Sequence, residues 1–113
     1  MIYEIDATNE KLGRLATRVA HILQGKHKVT YEPRLAGNDK VTIKNASKVL
    51  LTGKKFNQKV YYWHTGYMGH LRERSIKDTM AKYPKRIVEW AVYNMLPKNS
   101  LRPKRMRRLR IEK

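Results

Sequence analysis

An excess of cations governs what this chain can fold into. Lysine and arginine number 26 against 9 aspartates and glutamates, a formal net charge of +17 on 113 residues. Like charge at that density opposes compaction unless an anionic partner screens it, and the commonest soluble polyanions are nucleic acids. The hydrophobic share of 41% is too large for a wholly disordered basic tail, so a core is expected. A single domain of this size buries about two-thirds of the surface its unfolded chain exposes, enough for one modest core. Cysteine is absent, which excludes disulfides, thiolate metal sites and cysteine nucleophiles and fits a reducing compartment. No apolar run approaches the roughly 20 residues that span a bilayer. Met1 to Asp6 lack the basic start and apolar stretch of a secretory signal. The expectation is an intracellular, soluble protein with no membrane partner, because the arginine-rich segment lacks a wide apolar face.

Ile2, Glu4 and Asp6 interleave with Tyr3 and Ile5, the alternation of a strand. Asp6 to Asn9 offer cap chemistry before Leu12, Leu15, Ala16, Val19, Ile22 and Leu23, whose spacing of three and four predicts a helix ending at Gly25. Residues 31–40 read as a loop. Val41 to Ile43 read as a strand, Asn45 to Ser47 as a turn, and Val49 to Leu51 as another buried strand. A basic connection leads to Val60 to Trp63, again a strand by its aromatic content, and a glycine loop from His64 to His70 follows. Ser75 is placed to cap a helix over 76–82, and Pro84 to open one that Pro97 stops. The order predicts an α/β fold in three α/β/α layers around a small sheet, with residues 1–97 as the core domain. Residues 98–113 carry eight cations against Glu112 alone and read as a basic C-terminal arm, mobile until it meets nucleic acid.

Enzyme signatures fail in turn. Thr52-Gly53-Lys54-Lys55 lacks the upstream glycine and the hydroxyl residue of a phosphate loop, and no dinucleotide-binding glycine pattern follows the first strand. The histidines at 21, 27, 64 and 70 lack the helical spacing of metal ligands, leaving a His64 and His70 zinc pair as the weakest of the readings. Ser47 and Ser75 look like caps, and nine carboxylates give few candidates for paired acid and base chemistry. No catalytic group, metal, cofactor or small-molecule substrate is expected.

The cations, by contrast, cluster. Arg14 and Arg18, with His21, fall on the polar face of the first helix, and Lys26, His27 and Lys28 follow its end. Lys54, Lys55 and Lys59 flank the next connection. In the loop after His64, Thr65 and Tyr67 can donate, and glycines let backbone amides approach a phosphate, although a tight turn needed by the fold explains the same glycines. Tyr61, Tyr62 and Trp63 offer stacking surfaces for unpaired bases, with at least one of them turned into the core by strand alternation. The arm adds Lys98, Arg102, Lys104, Arg105, Arg107, Arg108 and Arg110. The lack of a helix-turn-helix, finger or zipper pattern favours a partner read by shape, which suits folded RNA.

Several strings, in order, resemble the L-thirteen family of large-subunit ribosomal proteins. They are Asp6-Ala7-Thr8, Leu12-Gly13-Arg14-Leu15-Ala16-Thr17, and Gly25-Lys26-His27-Lys28 with Tyr31 and Pro33. Asn45-Ala46 and Lys48 lead to Thr52-Gly53-Lys54, then Lys59-Val60-Tyr61-Tyr62 with His64-Thr65-Gly66, and Ala91-Val92 with Met95-Leu96-Pro97-Lys98. The resemblance implies an α/β/α fold around a mainly parallel sheet and a role in binding large-subunit ribosomal RNA, with early entry into assembly. It makes Arg14, Lys26, His27, Lys28, Lys54, His64, Thr65, Gly66 and Lys98 candidate RNA contacts. It also implies neighbouring large-subunit proteins and a cytoplasmic place in the ribosome. Gly69-His70 stands where the family pairs glycines, Leu101-Arg102-Pro103 where it has Leu-Gly-Arg, and Asn94 where glycine is usual. Both ends are short, as in a reduced bacterial form. A nucleic-acid-modifying enzyme using the His64 loop and a sequence-neutral DNA-packaging protein are the alternative readings.

Overall fold

A computed structural model describes every residue except His70, so a zinc pair with His64 lies outside the described residues. In chain order it contains β1 (Ile2–Asp6), α1 (Leu12–Gln24), β2 (Lys40–Lys44), a 3-10 turn (Ala46–Lys48), α2 (Lys55–Gln58), β3 (Val60–His64), β4 (Leu71–Ser75), α3 (Ile76–Lys82), α4 (Pro84–Met95), α5 (Arg102–Met106) and β5 (Leu109–Ile111). Three strands form a parallel sheet in the order β1, β2, β5, and β3 pairs with β4 in a separate antiparallel hairpin. No described helix is long and apolar enough to cross a membrane.

The first helix forms where the apolar stripe demands it. Leu15, Ala16, Val19, Ala20 and Leu23 are buried, and Gly25 at φ 78° takes the left-handed turn that ends the helix. The expected cap at its start is absent: Lys11 holds that position without a side-chain bond. Asp6 is engaged elsewhere, accepting from the amide and hydroxyl of Thr8 at 2.9 and 2.7 Å and from Asn45 at 3.0 Å. That carboxylate therefore ties the end of β1 to the end of β2.

Tyr3, Ile5, Val41, Ile43, Leu109 and Ile111 make one face of the sheet, packed with Leu15, Val19 and Leu23 of α1 and Val88 and Val92 of α4. Strand order advances in one direction, so right-handed crossovers put both helices on that same face. The α/β class and the parallel sheet are as the sequence predicts, but the helical cover is on one side. Ile2, Glu4, Asp6, Lys40, Lys44 and Arg110 on the other face are exposed, with Lys44 paired to Glu4 at 3.0 Å.

Three further differences have physical causes. Val49 to Leu51 is not a strand: Leu50 makes one isolated bridge to Lys11, and only Val49 is buried, so the apolar run supplies a plug rather than a ladder. The connection at Lys55 is a one-turn helix, and β4 arises from Leu-Arg-Glu-Arg-Ser, a segment with no apolar alternation, because β3 supplies its ladder partner. Most consequential, residues 98–113 are not a mobile arm. β5 adds to the edge of β2, with the Glu112 amide donating to Ile43 at 2.7 Å and the Ala46 amide to Glu112 at 3.1 Å. The Leu-Arg-Ile alternation that makes this strand is hidden in a run of cations.

Ser75 behaves as the sequence predicts, its hydroxyl accepting the Asp78 amide at 3.3 Å to open α3, and Pro84 occupies the first turn of α4.

Candidate nucleic-acid interface

The exposed flank of α1 and the segment following Leu50 bound a groove of about 600 Å³. Lys11, Arg14, Arg18, His21 and Lys55 rim it, and Leu12, Ile22, Leu50 and Met95 floor it. Burial of the opposite stripe of α1 fixes this arrangement: with Leu15, Val19 and Leu23 inward, Arg14, Arg18 and His21 point to solvent. Arg14 and Lys55 have no carboxylate partner among the described residues, whereas Arg18 is held to Glu10 at 2.8 Å. A cationic rim over an apolar floor suits a sugar-phosphate backbone, whose anionic edge and less polar sugars match the two.

Lys26, His27 and Lys28 lie together at the far end of α1, and two of the three are committed. The Asp39 carboxylate is buried and receives Lys28 Nζ at 3.0 Å, while His27 Nε2 lies 3.3 Å away and the N-terminal ammonium 3.6 Å. Tyr3 bonds the same histidine nitrogen at 3.0 Å. Burial raises the Asp39 pKa, but the hydrogen bond and charge of Lys28, with the N-terminal ammonium and His27 close by, outweigh it, leaving the net shift downward. Lys26 alone of this group is exposed without an ion pair among the described residues.

Lys54, Lys55 and Lys59 are exposed around α2, with Lys59 Nζ 5.5 Å from the Tyr61 ring centre. His64, Thr65 and Gly66 occupy the exposed end of the hairpin, where His64 Nδ1 accepts the Gly66 amide at 2.9 Å. Gly66 sits at φ 92°, a conformation that favours glycine, so the turn by itself accounts for that residue.

The C-terminal cations divide sharply. Arg105 is 1% exposed and donates to the carbonyls of Pro33 and Leu35, at 3.5 and 3.1 Å. Arg108 is half-buried and donates to the carbonyls of Asp39, Leu23 and Ala36. Burial and the neighbouring Arg105 lower its pKa. Both side chains are drawn to the 33–39 loop instead of lying on a free arm: Arg105 donates through Nη2 alone, its Nε buried without a partner, and Arg108 through both terminal nitrogens. Arg102 stacks on Tyr93 at 3.7 Å and donates to its hydroxyl at 3.0 Å. Lys98, Lys104, Arg107 and Arg110 remain exposed, with Arg110 3.6 Å from Glu112. Arg107 and Arg110 share a shallow cleft with Lys40, a residue the sequence did not single out because its neighbour on the sheet edge is distant in the chain.

The match to known proteins agrees with this surface. The family model described as ribosomal protein L13 matches residues 1–112. The chain is 50% identical over 109 residues to the large ribosomal subunit protein uL13 of Clostridioides difficile, covering 96% of this chain and 76% of that protein. It is 50% identical to the protein of the same name from Thermotoga maritima, over 96% of this chain and 73% of that one. The counterpart in Bartonella bacilliformis is 50% identical over 108 residues, covering 95% of this chain and 70% of the relative. With residues 1–112 matched by the family model and half of its positions identical to those of such relatives, the chain belongs to the ribosomal protein L13 family.

Proposed function

We propose that the chain is a structural, non-enzymatic constituent of the large ribosomal subunit that binds large-subunit ribosomal RNA and helps the subunit assemble. The observation that carries this reading is the groove along α1, where Arg14 and Lys55 present charges unmatched by carboxylates among the described residues. Lys26, Lys54, Lys98, Lys104 and Arg107 extend the cationic surface. A net charge of +17 supplies the long-range attraction, and phosphate contacts of this kind fix position without reading sequence. Its place is the ribosome, in the cytoplasm, among other large-subunit proteins that meet it through surfaces the RNA leaves open.

Sedimentation of a cell lysate tests the proposal. Co-migration with large subunits through a moderate salt wash is expected, and crosslinks sequenced from the RNA side fall on large-subunit RNA. Even distribution along chromosomal DNA would replace this reading with DNA packaging.

A further inference from the structure

The hairpin carries an aromatic surface that the α1 groove does not use. Tyr61 and Trp63 lie on one of its faces, opposite Arg74 and Arg72 on the neighbouring strand. Trp90 of α4 meets Tyr61 edge to face with ring centres 4.6 Å apart. Tyr61, Tyr62, Trp63, Trp90, Arg74 and Arg86 line a cleft of about 460 Å³, within the usual range for small organic ligands. The Arg74 guanidinium stands 5.8 Å from the Trp63 ring centre and 5.4 Å from that of Tyr83, and Arg86 stands 4.7 Å from Tyr83. Neither arginine has a carboxylate partner among the described residues. Tyr62 and Trp63 are 61% and 45% exposed, large apolar surfaces left in water beside guanidiniums that no carboxylate neutralises among the described residues.

We infer that this cleft takes an unpaired base of single-stranded RNA, stacked against Trp63, with the adjoining phosphate on Arg74 and Arg86. Exposed rings match the face of a base, and guanidiniums match its phosphate. A base inside a duplex has its faces covered by its neighbours and presents only edges. An apolar peptide would use the rings but leave both guanidiniums unmatched, and the net charge of +17 selects a polyanion. The inference rests on the RNA-binding reading above but concerns a different surface.

Both tryptophans of the chain border the cleft, so intrinsic fluorescence reports its occupation. The full chain is titrated with a six-nucleotide oligoadenylate, with an RNA duplex of equal phosphate number, and with inorganic polyphosphate. Saturable quenching by the oligoadenylate is expected, with binding but little quenching by the other two. Trp63→Ala lowers oligoadenylate affinity about tenfold, Trp63→Phe restores most of it, and Arg74→Ala weakens it without loss of fold by circular dichroism. Equal quenching by all three polyanions, or an unchanged affinity in Trp63→Ala, would overturn the inference. Each of those results leaves co-sedimentation with large subunits intact, whereas failure to co-sediment removes the ribosomal reading and leaves the quenching result standing.

Discussion

Arg108 and Leu23 stand 85 positions apart, yet the guanidinium of one donates to the backbone carbonyl of the other at 2.7 Å. The same side chain holds the carbonyls of Ala36 and Asp39. Gly37, at φ 85°, lies in that loop, and a Cβ there would meet both terminal nitrogens of Arg108 at 3.5 Å. One cation thus gathers the end of α1, the loop before β2 and the approach to β5.

Arg108→Ala leaves buried carbonyls without donors and is expected to cost roughly 1–3 kcal/mol in chemical denaturation. Truncation after Lys98 removes β5, Arg105 and Arg108 together. The sequence alone predicts a folded remainder from that cut; the structure predicts loss of cooperative unfolding, because the edge of β2 and the 33–39 loop both lose their partners. A truncated chain with an unchanged melting transition would refute this.

The two faces of α1 separate stability from binding. Leu15→Ala, at a fully buried position, is expected to cost about 2–5 kcal/mol. Arg18→Ala loses an exposed pair with Glu10 and should change stability by no more than about 0.5 kcal/mol while weakening RNA binding. Equilibrium unfolding and filter binding of the two variants check the assignment, and reversed effects would invert it.

Acid sensitivity follows from two carboxylates. Hydrogen bonds from the Thr8 and Asn45 side chains and the Thr8 amide hold Asp6 at a pKa of about 2 against an ordinary 3.8. The Asp39 pKa is also lowered. A depressed folded-state pKa means stability that is complete above the unfolded value and lost as pH falls through the folded one. Melting temperature should therefore fall between about pH 4 and pH 2, and Asp6→Asn should flatten that limb. A fall that begins above pH 5 and survives Asp6→Asn would assign the acid limb to other groups.

Salt dependence reads the phosphate contacts directly. Engagement of six to ten phosphates should weaken RNA binding by roughly 10³ to 10⁵ between 50 and 200 mM salt. Arg14→Ala and Lys55→Ala should each reduce the logarithmic slope by about one. Lys44→Ala, which removes a cation already paired with Glu4 on the open sheet face, should leave the slope unchanged.

Local pattern carried most of the fold. The stripe from Leu12 to Leu23, the left-handed stop at Gly25, the Ser75 cap and the Pro84 start are properties of neighbouring residues, and each forms as its spacing predicts. Long-range pairing was not legible. Leu109 to Ile111 becomes a strand because Val41 to Ile43 offers an edge, its three-residue alternation too short to stand out among the cations, and Leu71 to Ser75 because β3 does, with no apolar alternation of its own. For the candidate site, composition identified the cations but gave no account of which would be spent inside the protein. Arg105 and Arg107 look alike in the sequence, yet one is sealed against carbonyls and the other faces solvent. Position decides between them, since the same guanidinium can donate to loop carbonyls where the backbone turns it inward or to a phosphate where it is turned outward.

Translation delivers β5 after every element it must hold together. A nascent chain released as far as α4 presents β2 with a bare edge, and no arginine has yet arrived to cinch the 33–39 loop. Closure of the three-stranded parallel sheet consequently waits for residue 111 to emerge, since β2 has no second partner until that strand is made.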